Sequence, residues 1–256
     1  MKHLVRDGVK LFYTDEGRGN PPIVLVHGWT CDHSYFEPQR KHLSKRHRVI
    51  TVDLRGHGRS DKPKQEYSIS GFADDIAWLC EQLKVKKPVV IGHSMGGMIA
   101  LEVASRHPDL PAAIVACDSP VVVPRGLKAN FAAMLAQLGT PDFAATQRGL
   151  IETMFIEGHD PKLKARIIKE MTSAPEHISH ECMRAIISMN SDKAARRCKV
   201  PFLHIFATNP LGDSVRLKKL CPTATIAQTY GAGHFHQLEV PDQVNAMIDR
   251  FVRLAV

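Results

Sequence analysis

The stretch VVIGHSMGGMIALEVA, Val89 to Ala104, decides the reading of this chain. Apolar β-branched residues run into a knot of glycines, and an apolar pattern with helical spacing follows. One serine, Ser94, stands between Gly92 and Gly96. A strand that turns abruptly into a helix cramps the residue at the turn, and neighbours without side chains relieve the crowding. Such a turn lifts the serine hydroxyl above the sheet edge, beside a helix N-terminus whose free N–H groups favour developing negative charge. With a strand before it and a helix after it, the G-x-S-x-G pattern is read as a nucleophile turn, with Ser94 the candidate nucleophile.

Working outward, short apolar runs recur as buried strands: IVLVHG (23–28), VITVD (49–53), PVVIG (88–92) and AAIVACD (112–118). Helical patterns separate them. SISGFADDIAWLCEQLK has Ser70 as a possible cap, and MGGMIALEVASRH follows the glycine turn. KLFYTDEGRGN near the start suggests a hairpin turning at Gly17, Gly19 and Asn20. Strands alternating with helices imply parallel βαβ units. The alternation stops between about Val122 and Arg197, where helical periodicity is punctuated by Pro124, Pro141, Pro161 and Pro175. It resumes with VPFLHIFA (200–207), TATIAQTY (223–230) and a last helix, PDQVNAMIDRFVRLA. The expected plan is a single α/β domain whose core spans residues 1–121 and 198–256. A helical cap, 122–197, is inserted between two strands.

Composition narrows the function classes. Hydrophobic residues at 44% and charged residues at 23% suit a globular chain of 256 residues with one sizeable core. No apolar run reaches bilayer length, and the opening MKHLVRDGVKLFYTDEG breaks into charges at once. The cytoplasm is the expected location, with no membrane partner. The six cysteines are scattered without CxxC spacing, so neither disulfides nor a zinc site is expected. The net charge of +8 raises the question of nucleic acid. Its densest groups, Lys45–Arg48, Lys84–Lys87 and Arg196–Lys199, each precede a predicted strand. They gather at the sheet edge opposite the strands' carboxyl ends, where open α/β sheets hold their sites. Nucleic-acid binding is therefore not expected.

A nucleophilic serine needs a base and an oxyanion site. YGAGHFHQLEVPDQV places His234 on a loop after the last strand, and position favours it over His236. His93, beside the serine, is read as a packing residue that faces away across the turn. One oxyanion donor is the N–H of Met95, the residue after the serine. The other comes from the loop HGWTCDHSYF, most simply the Trp29 N–H, with the Trp29 indole forming a pocket wall.

By these pieces (LVHGW, DLRGHGRSDKP, GHSMGG and GAGHF) the chain resembles the α/β-hydrolase superfamily over nearly its whole length. The resemblance implies a mostly parallel sheet flanked by helices and a Ser–acid–His triad in that order. Most relatives carry the acid after the strand that follows the cap, in a pattern like G-x-x-D. Here that strand exits as HIFATNPLGDSV, with Ala207 for the glycine and Pro210 for the aspartate. Asp213 is the nearest carboxylate there, whereas Asp118 ends the preceding strand. Some superfamily members place the acid at that earlier strand, and Asp118 is preferred. GWTCDH, IEGHDPKLKARIIKEM and HIFATNP are also similar to the cofactor-free dioxygenases that open quinolone rings.

The first expectation is a serine hydrolase of esters or lactones, acyl-homoserine lactones being one candidate class, with Ser94, His234 and Asp118 as catalytic residues. No metal or organic cofactor is implied. The cap segments FAAMLAQL and IETMFIEG offer Phe131, Met134, Leu135, Met154 and Phe155, with Trp29, for an apolar acyl or aromatic group. The partner is then a small molecule, and the chain a monomer or homodimer. Two alternatives stand beside this: a cofactor-free dioxygenase of a hydroxylated N-heteroaromatic using His234 and Asp118, and a non-catalytic binding protein on the same fold.

Overall fold

The computed structural model describes residues 2–256, and the side chains of all of these except Arg125, Leu127 and Lys128. Strands β1 (Lys2–Arg6) and β2 (Val9–Glu16) lead into β3 (Ile23–Val26). Helix α1 (Glu37–Leu43), β4 (Val49–Val52), α2 (Ile69–Gln82), β5 (Val89–His93), α3 (Met95–Arg106) and β6 (Ala113–Cys117) follow. Between β6 and β7 (Phe202–Phe206) the chain is helical: α4 (Arg125–Leu138), α5 (Phe143–Glu152), α6 (Pro161–Thr172), α7 (Glu176–Ser188) and α8 (Ser191–Arg197). Helix α9 (Ser214–Leu220), β8 (Ala224–Gln228), α10 (His236–Glu239) and α11 (Pro241–Ala255) complete the fold.

The sheet order is β1-β2-β4-β3-β5-β6-β7-β8, antiparallel at β1–β2 and β2–β4 and parallel elsewhere. Period-two alternation within the wholly apolar strands sends side chains into two cores. Val24, Val26, Val90, Ile114 and Ala116 face one side, packed with Phe72, Ile76, Ile99 and Leu101 of α2 and α3. Ile23, Leu25, Val89, Ile91, Ala113 and Val115 face the other, packed with Leu43 of α1 and Val244, Ile248 and Val252 of α11. Covering both faces is what makes these strands continuous apolar runs rather than alternating ones. No helix of the described residues is long and apolar enough to cross a membrane.

Two sequence expectations change at the start of the chain. The first hairpin turns at Asp7 and Gly8, both at positive φ, and joins β1 to β2. Gly17 and Gly19 instead thread past Ser44, Arg46 and His47, whose backbone leaves no room for a Cβ at either position. The cap of α2 is Ser68, whose Oγ accepts the Gly71 N–H at 3.0 Å, two residues before the expected Ser70.

The interior holds several neutral histidines. His57 donates from Nδ1 to the Arg55 carbonyl, His204 accepts the Ser119 N–H, and His236 pairs with Thr229 Oγ1. Burial pushes their pKa values down to about 3, about 3 and about 4. A histidine with a lowered folded pKa stabilises the fold above its unfolded value of about 6.5, and that contribution is lost as pH falls toward the folded value. These three groups together contribute a slope of about 4 kcal/mol per pH unit near pH 5.5, each taking up about one proton on unfolding. Urea unfolding at pH 6.5, 5.5 and 5.0 should therefore show a steep loss of stability. A flat profile over that range would contradict the neutral assignment.

Candidate active site

The carboxyl ends of β3, β5, β6 and β8 meet at one edge, and their loops bring Trp29, Ser94, Asp118 and His234 together. Ser94 sits at φ 54 and ψ −119, directly before the first turn of α3. Its glycine neighbours answer to backbone crossings. A Cβ on Gly92 would lie 2.0 Å from the Gly96 carbonyl oxygen, and a Cβ on Gly96 would lie 2.0 Å from that of Val26. Four hydrogen bonds hold the strained turn: Ser94 N–H to the Cys117 carbonyl at 3.0 Å, and Gly97 N–H, Met98 N–H and Ser119 Oγ to the Ser94 carbonyl at 3.0, 3.4 and 2.5 Å.

His234 Nδ1 lies 2.7 Å from Asp118 Oδ2, and both side chains are buried. The other carboxylate oxygen, Oδ1, accepts the Ala207 N–H at 3.1 Å. Burial pushes the Asp118 carboxyl upward, but the His234 hydrogen bond, the His234 charge and the Ala207 N–H together hold it below the usual carboxylate value. The carboxylate therefore accepts from Nδ1–H, which leaves His234 Nε2 as the proton-accepting nitrogen. Ser94 and His234 line the same cavity, though no direct hydrogen bond joins them. Asp213 lies elsewhere: its carboxylate caps α9 by accepting the Arg216 N–H at 2.9 Å. The N–H groups of Trp29 and Met95 donate to no acceptor among the described residues.

The cavity measures about 300 Å³, and Trp29, Phe131, Met134 and Met154 line it as expected. Leu135 and Phe155 do not. Leu135 is one helical position, or about 100°, beyond Met134 and packs on the core. Phe155 turns to Phe235 and His159, with ring centroids 5.4 and 5.3 Å away. The lining also includes Leu150, Ile156, Met171, Met183 and Ile186, whose helical spacing could not be told from ordinary core. His93 does not face away. It lines the cavity, with its Nε2 2.8 Å from the His234 carbonyl oxygen.

The inserted segment touches the Trp29 and His234 loops directly. The Met154 carbonyl accepts the His234 N–H at 2.9 Å. The Trp29 indole N–H donates to the Ser179 carbonyl at 2.8 Å, and the Ser179 hydroxyl in turn accepts from Gln147 at 2.9 Å. Asp32, His33 and Asp53 also cluster, their ligand-type atoms within 4.8 Å. Internal hydrogen bonds already occupy them: Asp53 accepts from His33 N, His33 Nδ1 and Arg59 N, and Asp32 from Ser34 N. Asp53 thus ties down the loop DLRGHGRS, where a Cβ on Gly58 would strike its carboxylate at 2.3 Å.

The chain is 28% identical over 266 residues to the AB hydrolase superfamily protein YisY of Bacillus subtilis, covering 98% of this chain and 99% of that one. It is 30% identical over 281 residues to a non-heme chloroperoxidase of Streptomyces lividans, covering 96% and 97%. Among solved structures, the enol-lactonase of Burkholderia xenovorans LB400 superposes with a TM-score of 0.88 at 25% identity, covering 98% of this chain and 100% of that one. The family model described as the alpha/beta hydrolase fold matches residues 21–153, from just before β3 to the end of α5. With that match, the serine turn and the eight-stranded, mostly parallel sheet, the chain belongs to the α/β-hydrolase family.

Proposed function

We propose that the protein is a serine hydrolase of carboxylic esters or lactones that proceeds through an acyl-enzyme on Ser94. The observation that carries this reading is the buried Asp118–His234 pair opening onto the apolar cavity that also holds Ser94. In this reading Ser94 Oγ attacks the carbonyl carbon while His234 Nε2 takes its proton. His234 then gives the proton to the leaving oxygen, and a water repeats the sequence to release the acid. Asp118 holds the Nδ1–H tautomer and balances the imidazolium. The oxyanion is received by the Trp29 and Met95 N–H groups, and loss of one such donor typically costs about 10²–10³ in rate. No step calls for a metal or an organic cofactor.

Helices α4–α8 act here as a cap, 122–197, over a core of 1–121 and 198–256. Its methionines and aliphatic side chains suit a neutral acyl chain or an aromatic group, because flexible thioethers adapt to varied apolar shapes. Among the described side chains that line the cavity, Asp118 and His234 are the ionisable ones that pair with each other, and no lysine or arginine stands ready for a substrate carboxylate. The enol-lactonase likeness supports the lactone half of the proposal. A second reading, cofactor-free oxygenation, draws on the acid's place after β6 and on the absence of a direct Ser94–His234 hydrogen bond. There His234 and Asp118 would deprotonate the substrate, and Ser94 would only position it.

Ser94→Ala should abolish turnover of p-nitrophenyl butyrate while the variant stays folded. Near-wild-type turnover would end the hydrolase reading, and oxygen uptake with a hydroxyquinolone in both proteins would establish the second one. For the acid, Asp118→Asn should lower kcat/KM by at least about 10², as loss of the charged partner does in Ser–His–Asp enzymes. Asp213→Asn should cost under about tenfold, and a severe loss only at Asp213 would reverse the assignment. For the pocket, Met134→Ala and Met154→Ala should move the preferred acyl length upward, while Leu135→Ala leaves the profile unchanged. Identical profiles in all three variants would remove these side chains from the substrate site.

A further inference from the structure

His93 stands one residue before Ser94, and its wholly buried side chain has no role in the steps above. Its Nε2 lies 2.8 Å from the His234 carbonyl oxygen. A carbonyl only accepts, so Nε2 carries the proton and Nδ1 is bare. Nδ1 is fully buried and without a partner among the described residues. The ring centroid lies 4.7 Å from that of His234 and 5.4 Å from that of Phe235. On the opposite side the ring abuts Gly28, where an added Cβ would stand 3.2 Å from His93 Nδ1 and 3.1 Å from Ser94 Cβ.

One side chain therefore touches three loops. It is covalently next to the nucleophile and hydrogen-bonded to the histidine loop, and it packs against the residue before the Trp29 oxyanion donor. With the Met154 carbonyl on the His234 N–H, the His234 main chain is held on both sides. The ring of His234 can still turn about its side-chain bonds, but its Cα is fixed relative to Ser94.

We propose that His93 is a positioning residue that sets His234 against Ser94 through its hydrogen bond to the His234 main chain. This inference rests on the serine-hydrolase reading for its kinetic consequence, though not for its structural one. Burial, followed by the nearby His234 charge, keeps the His93 ring neutral well below the ordinary histidine range, and the other titratable groups around it are His236 and His27. A neutral donor suits this place, since a second positive charge beside the His234 imidazolium would oppose the proton transfer from Ser94. Displacing a reacting group by about 1 Å can cost about 10² in rate.

Two variants separate the hydrogen bond from the packing. His93→Phe keeps a flat ring but has no donor, and His93→Gln returns an N–H at similar reach. With p-nitrophenyl butyrate, His93→Phe should lower kcat by about 10–100-fold with KM changed less than about threefold, and His93→Gln should recover most of the loss. The rate at which a fluorophosphonate labels Ser94 should fall and recover in parallel. In spectra of ¹⁵N-histidine-labelled protein, the His234 ring signals should broaden or double in the Phe variant and return to a single set in the Gln variant. The proposal is overturned if a folded His93→Phe variant keeps kcat within about threefold and an unchanged His234 spectrum. It is equally overturned if His93→Gln falls as far as His93→Phe in both measurements. If wild-type protein neither hydrolyses the ester nor takes the label, the hydrolase reading fails, and the ring spectra alone decide whether His93 orders His234.

Discussion

The end of β3 and the first turn of α3 pass so close that no side-chain carbon fits between them, and this contact organises the whole carboxyl edge of the sheet. Gly96 meets the Val26 carbonyl, and Gly92 meets Gly96, at separations only a missing Cβ allows. The same approach puts Gly28, and hence the Trp29 loop, against the Ser94 side chain. Holding a non-glycine residue at positive φ costs on the order of 1–3 kcal/mol. The fold offsets that cost with hydrogen bonds from β6 and the Ser119 loop to the serine's own peptide groups. Strain thus sits where the half-buried Ser94 side chain stands at a helix N-terminus, and the surrounding strands leave it no way to relax.

The Asp118 carboxylate illustrates how neighbouring strands share one task. Strand β6 lies between β5 and β7, so Asp118 emerges beside both the serine turn and the β7 exit. The β7 exit, where the resemblance places the usual aspartate, contributes only the Ala207 N–H, and that N–H holds Asp118. Asp213 is committed to the start of α9. Here the carboxylate and the backbone donor that steadies it have come from adjacent strands, with the same result at His234 Nδ1.

Most of the fold could be read from the chain because each core strand is apolar on both faces and each is followed by a turn or a helix signal. The serine turn was legible for a local reason: its glycines answer to contacts within one supersecondary unit and the strand beside it. The pairing of Asp118 with His234 was legible through Asp118's place at a strand end. Three readings went astray where the deciding partner is distant in sequence. His93 meets a carbonyl 141 residues away, so nothing local distinguishes it from a packing histidine. Phe155 and Leu135 sit beside lining residues, one in the connection between α5 and α6 and one on α4, and only the tertiary placement of those segments shows which side chains turn inward. Gly17 and Gly19 carry the composition of a hairpin turn but serve a close crossing over the end of α1.

The bonds from Met154 to His234 and from Trp29 to Ser179 give the inserted helices a second part to play. Residues of this inserted segment line the cavity, and the segment also holds the His234 loop by its main chain and the Trp29 loop by its indole. A swing of these helices wide enough to break both bonds would release the two loops at the same moment that it admitted solvent. On the proposed hydrolase reading, an open molecule would then be slack at Ser94 and His234, and hydrolysis of a bound acyl group would await reclosure. On that reading, access and chemical readiness are tied in opposite senses by two hydrogen bonds, so that a more mobile roof would speed entry at the expense of turnover.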